Sequence, residues 1–258
     1  MPDSKHSLRA ALVTIRDLLD KCREPLRVIE KHADAGVPEA QEISRYLKSL
    51  DSAFPAKSQQ MARNHKLLAE QGDAEAQFRM GVLCTVGEGV LSDRTKAAEW
   101  FYLAAVQDHA AAQSHLSHCF MNGHGVPQNF MDAVKWMRKA AENGDAIAQL
   151  ALGMAHEEGR WVLQSDREAA LWLHRSSEQG NPNGQFLLGK CYQSGKGVTK
   201  DLIEAHKWFN LASARNVKGA EASRDAVAKL MTLAQVIEAQ SRASRFVALP
   251  GTTAQEDS

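Results

Sequence analysis

Apolar and small residues recur along this chain with a period of 36 residues. Within each period they follow helical spacing over two stretches, which a glycine-containing turn separates. In residues 72–106, these stripes consist of Ala74, Gln77, Gly81 and Cys84, then of Ala97, Trp100, Phe101, Ala104 and Ala105. Each period is therefore predicted to form two amphipathic helices.

Four such units can be aligned without a gap. The aligned positions include Gln77, Gln113, Gln149 and Gln185; Gly87, Gly123, Gly159 and Gly195; and Trp100, Trp136, Trp172 and Trp208. Four of the five tryptophans thus share one position of the period. A fixed period in the range of about 20–50 residues is typical of stacked repeats, in which each unit contacts only its neighbours. The pattern predicts an all-α solenoid.

The period weakens toward both ends of the chain, as expected for units that leave one face unstacked. We predict an amphipathic N-terminal helix or cap within 1–32, a degenerate first repeat in 33–69, four full repeats in 70–215, capping helices in 216–247 and a disordered tail in 248–258. In the last predicted helix, 232–247, we expect Ala234, Ile237 and Ala243 to face inward.

The combined motif G-D/N-x-x-A/G-Q-x-x-x-G, G-x-G-V-x-x-D/N and A-x-x-W-x-x-x-A-A resembles the Sel-one-like repeat, a relative of the tetratricopeptide repeat. Its copies span residues 72–105, 108–141, 144–177 and 180–213. The resemblance implies a right-handed α/α superhelix and an adaptor or scaffold role in protein complexes. It supplies no catalytic motif that could be transferred to this chain.

Three positions depart from the repeat pattern. Asp108 and Ser117 replace glycines, so the first helix of the second repeat is expected to pack less closely. Trp161 replaces the second turn glycine, and a tryptophan does not easily adopt a positive φ. We therefore expect that turn to follow a different path or to carry strain. Its ring either folds onto the adjacent helix or forms an aromatic hot spot on the loop rim.

Composition narrows the range of partners. Lys and Arg total 31, and Asp and Glu also total 31, so no net charge attracts nucleic acid or an anionic membrane. No apolar run is long enough to insert in a membrane, and charges interrupt the N-terminal apolar segment. The four cysteines form no CxxC pair, which favours a cytoplasmic location. We expect a cytoplasmic protein, of bacterial type, without nucleic-acid or membrane partners.

Candidate chemical motifs are weak. His115, His118 and Cys119 lie close on one predicted helix, but no acidic residue or further repeat completes a metal site. The glycines from Gly189 to Gly197 do not have phosphate-loop spacing. We therefore expect no enzyme activity, no cofactor and no metal. A metal-dependent hydrolase remains the least favoured alternative.

If the units stack as in tetratricopeptide proteins, the first helix of each pair lines a concave groove. The residues beside its core stripe should then face a partner. These candidates are Phe78, Val82, His118, Met121, Asn122, Leu150, Met154, Glu157, Glu158, Phe186, Lys190 and Gln193, together with Trp161 on the rim. The set varies between repeats, as a non-repetitive ligand would require. Its aromatic, methionine and paired acidic residues suit an extended or helical peptide with basic and apolar anchors.

Two alternatives stay open at this point. Phe78, Leu150 and Phe186 could belong to the core between repeats, because buried phenylalanine and leucine are the rule. The repeats could also act as a structural spacer, with contacts made by the terminal helices. Those helices would then serve as caps or as the seam of a homo-oligomer.

Overall fold

A computed structural model describes residues 56–249, and all regular structure in this range is helical. The helices are α1 (Ala56–Glu70), α2 (Ala74–Val86), α3 (Arg94–Ala105), α4 (Ala110–Asn122), α5 (Phe130–Glu142), α6 (Ala146–Glu158), α7 (Asp166–Glu178), α8 (Pro182–Ser194), α9 (Leu202–Ala214), α10 (Ala220–Ala228) and α11 (Leu233–Ser244). The predictions for residues 1–55 and 250–258 lie outside the described residues.

Successive helices pack as neighbours in a row. Helices α2/α3, α4/α5, α6/α7 and α8/α9 form the four repeats, and the second helix of each pair also packs on the first helix of the next. Buried side chains form clusters that follow this order along the chain, as expected when each unit relies on its neighbours. The predicted all-α solenoid is confirmed.

Local chain chemistry fixes where the helices start and stop. The second helices begin at the side-chain caps Asp93, Asn129, Ser165 and Asp201, each of which accepts hydrogen bonds from free N–H groups of the first turn. The first helices end at Gly87, Gly123, Gly159 and Gly195, with φ of 79°, 69°, 66° and 79°. Only glycine adopts this left-handed conformation without a steric penalty.

Small residues let the two helices of a repeat approach closely. A Cβ atom on Gly81 would lie 2.5 Å from the ring of Phe101, and one on Gly189 would lie 2.7 Å from the ring of Phe209. In the second repeat Ser117 takes this position, and its hydroxyl donates to the carbonyl of Ala133 over 2.7 Å. The serine is thus accommodated by a buried hydrogen bond. The looser packing expected there stays a prediction.

The buried glutamine of each first helix links that helix to the helix before it and, in three repeats, to the end of the helix after it. The Gln77 Nε2 donates to the carbonyl oxygen of Ala69 in the preceding helix, and the Gln77 Oε1 accepts from Gln107 over 2.8 Å. The same arrangement recurs with Gln113 and Asn143, and with Gln149 and Gln179. In the fourth repeat Arg215 occupies the donor position, and Gln185 Oε1 has no hydrogen-bond partner among the described residues.

Trp161 keeps the path of the glycines that it replaces. Its φ is +61°, close to those of Gly89, Gly125 and Gly197. One of the two outcomes expected for this turn, a different path, is therefore wrong. The structure instead has Trp161 in a left-handed conformation, which is disfavoured for tryptophan. A Cβ on Gly125 or Gly197 would overlap backbone atoms of the preceding repeat. Trp161 stands at the corresponding place, next to Phe130.

The closing helices α10 and α11 both pack against α9. Ala239 and Ala243 are the buried residues of α11, whereas Ala234 is exposed and Ile237 is 57% exposed. The inward orientation predicted for Ala234 and Ile237 is therefore wrong. Beyond α11 the chain returns to α7, where the N–H of Leu249 donates to the carbonyl oxygen of Glu178 over 2.8 Å.

Candidate partner-binding surface

The predicted partner-binding residues lie on the first helices α2, α4, α6 and α8, with Trp161 in the α6–α7 turn. None of them is fully buried. The half-buried ones are Phe78, Val82, Met121, Leu150, Glu157, Phe186 and Gln193, and the exposed ones are His118, Asn122, Met154, Glu158, Trp161 and Lys190. By contrast, the in-phase glutamines of the same helices are buried in every repeat. The first helices thus combine a constant buried stripe with a variable accessible one.

Three of these residues also pack against other core side chains, and Phe78 and Leu150 do so across the boundary between repeats. The Phe78 ring stacks on His109 of the next repeat, with 4.8 Å between ring centroids. Leu150 packs against a buried cluster that extends into the following repeat, and the Phe186 ring lies 5.7 Å from that of Phe209. These side chains therefore contribute one face to the core and leave another face accessible.

The more open positions carry charge and flexible apolar groups. Met154 is 40% exposed, and Glu157 is half-buried one turn later on the same helix. Lys190 places its ammonium group 4.7 Å from the ring centroid of Phe186, where a cation–π attraction orients it. The surface therefore offers thioether, carboxylate and ammonium groups on successive repeats. Such a mixture suits a partner segment whose residues differ along its length.

Trp161 forms an aromatic pair that the repeat pattern did not predict. Its indole is 43% exposed and stacks on Phe130, with centroids 5.5 Å apart and an interplanar angle of 16°. Nearby in sequence, Met131 and Leu163 are 82% and 89% exposed. The signal for Phe130 was available, because the same position holds Arg94, Asp166 and Leu202 in the other repeats.

Several histidines lie close together in the second repeat. His109 caps α4 through Nδ1, and its Nε2 lies 2.9 Å from Glu75 of the preceding repeat. The His115 ring stacks on Phe101. Burial is the main cause that lowers the pKa of His115, and the nearby His118 lowers it further. Burial is also the main cause that lowers the pKa of His118, and the nearby His124 lowers it further. Within residues 56–249, no three potential ligands are grouped so that they could hold a metal ion.

The cysteines of the described range are not reactive thiols. Cys84, Cys119 and Cys191 are buried in the helix cores. Burial raises the pKa of the Cys84 and Cys191 thiols to about 11, with smaller contributions from nearby carboxylates. These groups are therefore protonated near neutral pH and act as small apolar residues.

Comparison with known proteins agrees with this architecture. The Sel1 repeat model matches residues 74–109, 110–145, 146–181 and 182–217. The chain belongs to the Sel1 repeat family. Proteins of this family are generally protein-interaction scaffolds. No curated protein sequence matches the chain.

The solved structures that are similar to this Sel1 repeat protein include the following two. A Sel1 repeat protein from Oxalobacter formigenes is 31% identical, with a TM-score of 0.63, over 76% of this chain and 57% of its own. The protective antigen c5321, from uropathogenic Escherichia coli strains, is 28% identical, with a TM-score of 0.50, over 72% of this chain and 48% of its own. The chain thus spans about half the length of these relatives. None of the helices in 56–249 is long and apolar enough to cross a membrane.

Proposed function

We propose that this protein is a non-enzymatic adaptor that binds a partner protein or peptide along its first helices α2, α4, α6 and α8. The carrying observation is the contrast within these helices. Gln77, Gln113, Gln149 and Gln185 are buried in all four repeats, while the accessible positions beside them differ from one repeat to the next. Stacking requires the first set to be constant. A ligand of non-repetitive sequence requires the second set to vary.

Trp161 extends this surface to the rim. A tryptophan in the left-handed region is disfavoured by about 1–2 kcal/mol, and glycine stands at this position in the other three repeats. Stacking on Phe130 offsets part of that cost, since aromatic pairs contribute about 0.5–1.5 kcal/mol. Replacing Trp161 with glycine is therefore expected to change stability little. A loss of binding in that variant would assign the indole to partner recognition.

The groove is tested by reversing its character at three accessible positions. The variant Met154→Lys/Glu157→Arg/Lys190→Glu is expected to capture its native partners at least about tenfold less well, because interface energy concentrates in a few residues. A matched control makes equivalent changes on second helices, as Leu103→Lys/Glu99→Arg/Lys135→Glu, where the side chains are also exposed. Quantitative mass spectrometry of tagged protein recovered from native cells provides the readout.

Both variants should unfold at nearly the wild-type temperature, since all six positions are accessible. The same partners at the same yield from the groove variant would contradict the proposal. So would an equal loss from both variants, because the partner would then contact another face.

A second candidate function is an oligomerisation module acting through the closing helices. It is favoured by the exposure of Leu230, Leu233 and Ile237 at the C-terminal end of the solenoid. Exposed apolar patches of this kind often mark protein contacts. The molar mass of the purified wild-type protein, measured by light scattering, separates the two functions: a concentration-independent monomer argues for the groove alone.

A further inference from the structure

A cleft of about 430 Å³ opens where α7, α9 and α11 meet, and none of the groove residues lines it. The Trp208 and Phe246 rings form its apolar base, in an edge-to-face contact with centroids 5.5 Å apart. The segment that follows α11 forms one wall, held to α7 by the hydrogen bond between Leu249 and Glu178. The closing helix and its return to α7 therefore create this cleft.

Three cationic residues line the cleft with one carboxylate, that of Glu178. Two of these cations are already paired: Lys207 and Arg242 both contact Glu204, at 3.1 Å and 2.8 Å. Arg242 also binds Glu238 over 2.8 Å. The remaining cation, Arg245, is exposed and has no recorded ion pair or hydrogen bond from its side chain to any residue in 56–249.

This arrangement selects one kind of ligand. A guanidinium group recognises a carboxylate through paired hydrogen bonds, and the neighbouring Phe246, Val247 and Leu249 offer apolar surface. The nearby carboxylates Glu178 and Glu204 disfavour a polyphosphate or a densely charged surface, which would need several unpaired cations. A single carboxylate next to an apolar group fits both features.

We propose that this cleft is a second binding site, which takes an extended segment of a partner protein with one carboxylate beside an apolar side chain. A carboxylate of the segment pairs with Arg245, and an adjacent apolar side chain lies against Phe246 and the exposed Val247. The site is independent of the groove on the first helices, because it is built from second helices and the closing helix.

One competing occupant is supplied by the chain itself. Residues 250–258 follow Leu249, which lines the cleft, and contain Glu256 and Asp257 but no lysine or arginine. This segment carries the same chemistry as the proposed partner. The experiment must therefore distinguish self-occupancy from partner binding.

The probe is a fluorescein-labelled nonapeptide with one aspartate followed by leucine and phenylalanine, flanked by glycine and serine. Its binding to the full chain is measured by fluorescence anisotropy. We expect Arg245→Gln to weaken binding about fivefold, the upper range for an accessible ion pair. The control Arg167→Gln removes the same charge from an exposed position in α7 outside the cleft and should bind as wild type does. A peptide with asparagine in place of aspartate should bind the wild-type protein about as weakly as the aspartate peptide binds Arg245→Gln.

Three outcomes would overturn the proposal. One is that the labelled peptide binds neither the wild-type protein nor any of the variants. Another is an equal loss in the Arg245 and Arg167 variants, which would indicate non-specific charge attraction. The third is binding that appears only after Glu256→Gln/Asp257→Asn, which would make residues 250–258 the native occupant. An unchanged affinity in the groove variant Met154→Lys/Glu157→Arg/Lys190→Glu would show that the two sites are separate.

Discussion

At the scale of single residues, a buried histidine is the clearest departure from the repeat pattern. His206 is 2% exposed, and its Nδ1 has no hydrogen-bond partner among the described residues. The same position holds Ala98, Val134 and Ala170 in the other repeats. Burial lowers the pKa of His206, and the charge of Arg224 adds to this, while Asp225 acts in the opposite direction. The folded protein therefore holds this imidazole neutral.

This burial predicts a specific acid sensitivity. Because the pKa of His206 is lower in the folded than in the unfolded state, the unfolded chain binds more protons once the pH falls below about 6.5. Stability should therefore decrease as the pH falls through that value. His206→Val removes this contribution, so the melting temperature of the variant should exceed that of wild type by a larger margin at about pH 5 than at about pH 7.5.

The control for this prediction is His65→Val, which removes a half-buried imidazole from α1. Thermal unfolding followed by circular dichroism measures all three proteins at both pH values. A margin between His206→Val and wild type that is constant with pH would show that His206 does not couple folding to protonation.

Residue types alone predicted much of the local chemistry but not its exceptions. The left-handed turn glycines and the N-caps of the second helices were predicted from intrinsic conformational preference, and the structure has them at the predicted positions. Trp161 was not, because the packing of its turn on the preceding repeat overrides the preference of its side chain. Nor was the partner of the turn tryptophan, Phe130, expected. Its contact with the indole depends on the spacing between repeats, which local sequence does not encode.

At the scale of helices, the fourth repeat lacks an amide link that the first three repeats share. In the first three repeats, an amide at the end of the second helix donates to the glutamine of the first helix. Arg215 replaces that amide, and Gln185 Oε1 remains buried without a partner in the described range. A buried polar atom in this state costs about 1–3 kcal/mol.

In Arg215→Gln, the new amide should donate a hydrogen bond to Gln185 Oε1. The free energy of unfolding should then rise by about 1 kcal/mol, the net contribution of a typical hydrogen bond. Urea unfolding gives this value from the shift of the midpoint at constant slope. Arg138→Gln serves as the control, because it makes the same substitution at an exposed position of α5. An equal gain in both variants would assign the effect to surface charge, and no gain in Arg215→Gln would mean that Gln185 needs no further donor.

The closing helices show where the periodic pattern stops being informative. Within the repeats, the positions of the core stripe could be assigned from their phase-mates. Residue Ile237 has none, and its orientation depends on how α11 approaches α9. The same limit applies to the cleft beside Phe246, because it arises from the return of the chain to α7. The partner-binding set on the first helices was foreseen as accessible, but what it binds stays a proposal.

At the scale of the whole molecule, stability is expected to behave as a sum over neighbouring units. The four repeats match without a gap, and each packs on the next through the same positions. Removing residues 146–181 would join Asp145 to Pro182 and restore the register. Asp145 would then take the capping role of Asn181, since both cap the first helix of their repeat.

The shortened protein should therefore fold with three repeats and unfold in a single cooperative transition. Its urea dependence should be shallower, because the slope scales with the surface exposed on unfolding. Removing only residues 146–163, half a repeat, breaks the alternation of first and second helices and should abolish cooperative unfolding. Circular dichroism against urea measures both. If the two deletions lose cooperativity alike, then the third repeat makes contacts that its neighbours cannot replace, and the molecule behaves as one undivided core instead of a stack of equivalent units.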